Sequence, residues 1–219
     1  MEEENKSMRV LICGRGRSLE YIEHLELEND FDFIILVNNF NTFVKENNSI
    51  RNFLKNKKII QQVNICEEGL DREFIKEFDI RKVCIARLAP NGDSSWWRSG
   101  RTSRTIESFG YECHWQSDKL EPYMHVVENS SDIAILHAIL ELEATDVSVI
   151  GIDFYEAEYF LGHNESDYLT WDEKETNSVR NRIKGSHEKI VSLFPNVSFY
   201  YFTKSTFNPS LKNINITRV

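Results

Sequence analysis

Little in this chain favours a membrane, an extracellular scaffold or a nucleic-acid partner. Its 219 residues include only four cysteines and four prolines. Cys13, Cys66, Cys84 and Cys113 lie far apart, with neither the paired spacing of a zinc site nor the density of a disulfide-stapled domain. They read as reduced thiols of a cytoplasmic protein. No apolar run approaches the roughly 20 residues that cross a bilayer. Residues 1–8 lack the pattern of a signal peptide, which again leads to the expectation of a cytoplasmic protein. Positive charge is scarce as well. Twenty-six Lys and Arg stand against 35 Asp and Glu, and the net charge of −9 argues against a general nucleic-acid binder.

What is present is ordinary for a folded enzyme-sized domain: 41% hydrophobic and 28% charged residues. The length suits one domain over residues 1–219. Short strand-like segments, most of them rich in apolar residues, recur at 9–13, 31–37, 58–65, 81–87, 111–116, 146–153 and 198–202, the final one being read as the last strand. Helical patterns fall between them, at 19–25, 40–54, 69–78, 132–143 and 187–194. Alternation of this kind, with strands that read as apolar runs instead of alternating patterns, predicts a mainly parallel sheet covered by helices on both faces. The expected fold class is α/β, a single Rossmann-like domain. Two polar, aromatic-bearing stretches, 88–104 and 156–184, read as irregular lid-like excursions from it.

In such sheets the ligand sits beyond the carboxyl ends of the strands, so the residues at those ends are the candidates. The first strand runs into Gly14-Arg15-Gly16-Arg17-Ser18, where glycines allow close backbone approach and Ser18 heads a helix, the arrangement of an anion site. The same pattern also serves a turn that only packs strand on helix. Asn38 and Asn39 follow the second strand, and an amide suits a nucleobase, a ribose or a phosphate. Ser130 and Ser131 open the strongest helix of the chain, as cap or as cradle. Asp153, Phe154 and Tyr155 close a central strand. His187 in Gly185-Ser186-His187-Glu188 is placed ahead of a helix and competes with His163 for the role of general base. Arg87, Arg98, Arg101 and Arg104 surround Trp96 and Trp97 in the first excursion, a local reversal of charge that suits steering of an anionic substrate. Asp30-Phe31-Asp32 precedes the second strand, at the wrong end for the ligand edge, and no histidine or carboxylate cluster supports a metal there.

Taken in order, these segments resemble the bacterial CMP-sialic-acid-dependent sialyltransferases that decorate lipo-oligosaccharides, and more distantly the wider group of CMP-sugar transferases that includes Kdo transferases. The family's Gly-Asn-Gly-Pro-Ser-Leu loop is similar to residues 14–19 here, with Arg15 and Arg17 in place of the Asn and Pro. Its Asn-Asp-Phe-Asp approach to the second strand stands at 29–32. Its strand-end asparagine stands at Asn38, its helix-start serine at Ser130 or Ser131, and its Gly-Ile-Asp-Phe-Tyr run at 151–155 without change. The likeness covers the start of the chain and residues 129–202. The middle, roughly 41–125, shows none.

The resemblance implies a GT-A-like variant of the fold and transfer of an acidic nonulosonate, sialic acid or a Kdo-like sugar, from a CMP donor to a glycan or lipo-oligosaccharide-type acceptor. It implies no metal and no cofactor beyond the donor. In its terms His187 is the base, Tyr155 and Tyr159 hold the leaving phosphate, and Gly14, Arg15, Gly16, Ser18, Asn38, Asn39, Ser130, Ser131, Asp153 and Phe154 line the donor site. The enzyme is expected in the cytoplasm or peripherally at a membrane, with homo-oligomerisation open. Two other readings stand beside it: another Rossmann-like transferase using a different nucleotide or S-adenosylmethionine, and a noncatalytic nucleotide- or glycan-binding module.

Overall fold

The computed structural model describes residues 7–26, 30–38, 40, 44, 47–63, 71–85, 112–115, 118–156 and 172–219. Eight strands form one sheet: β1 (Arg9–Cys13), β2 (Phe33–Val37), β3 (Ile59–Val63), β4 (Lys82–Ile85), β5 (Glu112–Trp115), β6 (Asp146–Ile150), β7 (Ser198–Thr203) and β8 (Ile214–Arg218). Their spatial order is β5-β4-β3-β2-β1-β6-β7-β8. Every neighbouring pair is parallel. The fold is therefore the expected α/β, Rossmann-like one. The chain winds outward in one direction from β1 and in the other from β6, so a crevice opens where the β1 and β6 carboxyl ends part.

Five helices flank the sheet among the described residues: α1 (Ile22–Glu26), α2 (Asn48–Leu54), α3 (Arg72–Glu77), α4 (Ser130–Leu140) and α5 (Glu173–Leu193). Parallel strands alternate their side chains between two buried faces. Leu11, Cys13, Ile34, Leu36 and Ile150 point to the side of α1, α2 and α3. Val10, Ile12, Ile35, Val147 and Val149 point to the side of α4 and α5. Nine of the eleven residues of α4 are buried, polar ones included, so it is a core helix with no solvent face. No described helix is long and apolar enough to cross a membrane.

Two expectations need correction. The second excursion does not reach residue 184. Asp172 accepts from the Glu175 amide and begins a helix that runs through to Leu193, so His187 lies deep inside α5 instead of ahead of it. Nor is the strand at 198–203 the last. Residues 204–213 connect it, without a helix, to the parallel strand β8. Asn213 steadies that connection by donating through Nδ2 to the carbonyls of Val191, Phe194 and Val197 at 3.0–3.2 Å, where α5 ends. The excursion 88–104 and residues 157–171 lie outside the described residues.

Candidate functional site

Two strand-end loops meet at the crevice. The Gly14 amide donates to the Ile150 carbonyl at 2.8 Å and the Gly16 amide to the Gly151 carbonyl at 2.6 Å. The loops are so close that a Cβ on Gly14 would strike the Gly151 carbonyl, and one on Gly151 would strike that of Gly14. A Cβ on Gly16 would lie 2.5 Å from Asp153 Oδ2. These glycines are thus required by contact between β1 and β6, whatever the crevice binds. Ser18 completes the join. Its Oγ accepts from the Gly151 amide at 2.9 Å, and its own amide donates to Asp153 Oδ2 at 2.8 Å. Arg15, between the two glycines, is half-buried.

Asp153 is buried and both its oxygens are engaged. Besides the Ser18 amide on Oδ2, Oδ1 accepts from Thr203 Oγ1 at 2.9 Å and from the Lys204 amide at 2.8 Å. One carboxylate thus fastens the ends of β1, β6 and β7, and ligand contact is not needed to explain it. Phe154 belongs to the core. Its ring packs 4.9 Å from that of His187 and 4.7 Å from Phe207. Tyr155 is half-buried at the rim, and Arg180 Nε donates to its carbonyl at 2.9 Å. Tyr159 lies outside the described residues.

Backbone strain gathers here. Phe154 and Tyr155 have φ of 52° and 57°, and Asn38, at the end of β2, has φ of 59°. Each costs on the order of 1–3 kcal/mol and persists only where its surroundings enforce it. At Asn38 the enforcement is visible. Its amide donates to the Gln62 carbonyl at 2.7 Å, and its carbonyl accepts from Gln61 Nε2 at 2.8 Å and from the Phe40 amide at 2.9 Å. Its side-chain Oδ1 accepts from Ser130 Oγ at 3.1 Å, across 92 positions of sequence. Two of the expected donor-site residues are therefore in direct contact. Asn39 is not among the described residues.

The other serine faces inward. Asn129 caps α4, with its Oδ1 accepting from the amides of Ser131 and Asp132, while Asp132 Oδ2 accepts from those of Glu128 at 2.7 Å and Asn129 at 3.1 Å. This reciprocal capping box leaves fewer amides at the helix head for an anion. Ser131 Oγ contacts both Asn129 Oδ1 and, at 2.8 Å, His187 Nε2. His187 Nδ1 meets the Tyr201 hydroxyl at 2.9 Å, and Nε2 lies 3.3 Å from Asp132 Oδ1. Ser186 Oγ donates to the same carboxylate at 2.9 Å.

One proton arrangement satisfies all these groups. Tyr201 donates to Nδ1, Nε2–H donates to Ser131 Oγ, and Ser131 donates to Asn129. Burial lowers the His187 imidazole from 6.5 to about 3, so it is neutral, and raises the Asp132 carboxyl from 3.8 to about 7. A general base must reach its substrate's proton. His187 is fully buried with both nitrogens engaged by protein hydroxyls, and it does not offer that reach in this structure.

Asp30 and Asp32 lie before β2, at the amino edge of the sheet, where Asp32 Oδ2 accepts from the Arg9 amide at 2.9 Å. Among the described residues no three His, Cys, Asp or Glu side chains gather as a metal site would need. No protein-family model matches the chain, and no curated protein matches it significantly. Sequence reasoning missed Gln61, Ser186 and Tyr201. The one available signal was a run of two amides, Gln61-Gln62, inside an otherwise apolar strand.

Proposed function

We propose that the protein is a glycosyltransferase that moves an acidic nonulosonate sugar, sialic acid or Kdo-like, from a CMP donor to a hydroxyl of a glycan acceptor. The observation that carries this reading is the 3.1 Å contact between Ser130 Oγ and Asn38 Oδ1 at the carboxyl edge of the sheet. By the resemblance, both residues correspond to positions at which CMP-sugar transferases hold the nucleotide, and they meet at the carboxyl end of β2, on the edge where α/β sheets bind ligands. Among the described residues none accepts a hydrogen bond from Asn38 Nδ2, so its two N–H groups suit an acceptor edge such as that of cytosine.

In the proposed reaction the acceptor oxygen attacks the anomeric carbon, the bond to the CMP phosphate breaks, and the acceptor proton passes to a base. The single phosphate of a CMP leaving group can be stabilised by hydroxyl donors such as Tyr155, without a divalent ion. Because His187 is enclosed, His163, the competing candidate and outside the described residues, is the base proposed for proton removal, and His187 meets the head of α4 through Ser131.

Thermal shift with CMP, UDP, GDP and S-adenosylmethionine tests the reading, since a ligand of the folded state adds stability according to its concentration over its Kd. A shift by millimolar CMP that exceeds the others supports it, and no shift by CMP overturns it. Replacing His163 by Ala should abolish turnover and leave the CMP shift. The enclosed His187 also favours a second reading, a noncatalytic nucleotide- or glycan-binding module. CMP binding with no turnover of any CMP-sugar by the intact protein would select it.

A further inference from the structure

β3 reads Ile59-Ile60-Gln61-Gln62-Val63, and all five residues are buried. Its neighbours in register confirm how apolar the setting is: Gln61 is flanked by Leu36 on β2 and Val83 on β4, both fully enclosed. Packing alone would be served better there by Leu or Met. Gln61 instead buries a carboxamide whose Oε1 has no hydrogen-bond partner among the described residues. An unsatisfied buried acceptor is a cost without structural return, and native proteins keep few of them.

The other end of the same carboxamide explains the choice. Gln61 Nε2 donates at 2.8 Å to the carbonyl of Asn38. The opposite orientation would set Oε1 against that carbonyl, so the geometry fixes the amide with its acceptor stranded and its donor on Asn38. The neighbouring residue holds the other backbone group of Asn38, since the Gln62 carbonyl accepts from the Asn38 amide at 2.7 Å. Between these two bonds Asn38 is kept at φ 59°, a conformation that L residues seldom adopt. That conformation brings its side chain to Ser130 at the head of α4.

We propose that Gln61 is a positioning residue for the ligand site: its buried carboxamide holds the Asn38 backbone in the left-handed turn that presents the Asn38 side chain beside Ser130. The Asn38 carbonyl keeps a second donor, the Phe40 amide at 2.9 Å, so removing Gln61 leaves no new orphan on Asn38. Gln61 therefore serves the site at the expense of the strand. The ligand in question is the CMP of the proposed function, on which this inference rests.

The test is Gln61→Met, which preserves volume and removes the donor, read beside Asn38→Gly, which takes positive φ freely and lacks the amide. Gln61→Met should weaken CMP binding by at least about fivefold, the loss of one ordinary hydrogen bond. The melting temperature of the unliganded protein should hold or rise, which a purely structural role for Gln61 would not allow. In the Asn38→Gly background Gln61→Met should change CMP affinity no further, because the two act through one element. A readout free of ligand is hydrogen exchange at the Asn38 amide, which should quicken in Gln61→Met. Unchanged exchange, an equal affinity loss in both backgrounds, or a lower melting temperature with intact affinity would each overturn the proposal. Failure of the intact protein to bind CMP refutes the function reading and the inference with it, whereas CMP binding that Gln61→Met leaves untouched refutes the inference alone.

Discussion

The buried Asp132–His187 pair should make two single substitutions tilt stability in opposite directions with pH. Burial holds the His187 imidazole at about 3 against 6.5 in the unfolded chain. Between those values the unfolded state binds a proton that the native state does not. The stability tied to His187 is thus present above pH 6.5 and is lost as pH falls toward 3, at about 1.4 kcal/mol per pH unit. Asp132 runs the other way. Its carboxyl is raised from 3.8 to about 7, so between them the native state binds the extra proton and stability falls as pH rises. Across the shared window the two slopes nearly cancel in the intact protein. His187→Asn removes one of them, and relative to the intact protein it should gain about 2 kcal/mol between pH 6.5 and about pH 5. Asp132→Asn should lose a similar amount over the same interval. Urea unfolding at several pH values, with circular dichroism to establish that each variant is folded, gives the slopes directly. Parallel curves for both variants and the intact protein would refute the reasoning, because they would mean that neither group is held away from its ordinary pKa.

Two further outcomes follow from the same burial arguments. Asp153→Ala should destabilise by about 2–5 kcal/mol, since it strands the Ser18 and Lys204 amides that the carboxylate accepts from; chemical denaturation would measure it, and a loss under about 1 kcal/mol would refute the clamp. The Cys13 thiol is fully buried and burial pushes it far above the ordinary thiol range, so a thiol reagent should label it only at the rate of unfolding. Labelling of native protein at the rate of an exposed thiol would count against it.

The sheet was legible because its central strands are buried on both faces and so carry mainly apolar runs, unbroken in Phe33–Val37. The start of α5 was hidden for a specific reason. Its buried stripe falls at Ile183, Ser186, His187, Ile190 and Val191, a regular helical spacing. Two of its five positions are polar because they meet Asp132 and Ser131 on α4. Residues 173–182 add no buried side chain to that stripe, so a periodicity reading starts the helix late. β8 was missed for the complementary reason: only its alternate residues are even half-buried, so Ile214–Arg218 shows no run. The edge on which candidates gather was legible from topology. The role of each candidate was not, because it depends on partners far away in sequence. Asp153 is fixed by residues 135 positions before it and 50 or more after it.

What the fold does with those partners narrows how the crevice can recognise a ligand. A bound anion or sugar needs donors and acceptors that folding has not already used. Both oxygens of Asp153 are taken, the head of α4 is capped by Asn129 and Asp132, and both nitrogens of His187 are engaged. These groups build a rigid wall at the β1–β6 switch point instead of a set of waiting contacts. Rigidity there has its own use, since a site must hold its contacting groups within a fraction of an ångström to discriminate among ligands. The groups the wall supports are then the informative ones. Asn38 stands out among them, held at its backbone by Gln61 and Gln62 and at its side chain by Ser130, with its amide N–H groups uncommitted among the described residues. A ligand that meets this residue is read by acceptance from Nδ2, which requires an acceptor on the ligand at that point. Asn38→Asp, nearly isosteric, would reverse the sense of that contact and repel a phosphate or a carbonyl edge alike.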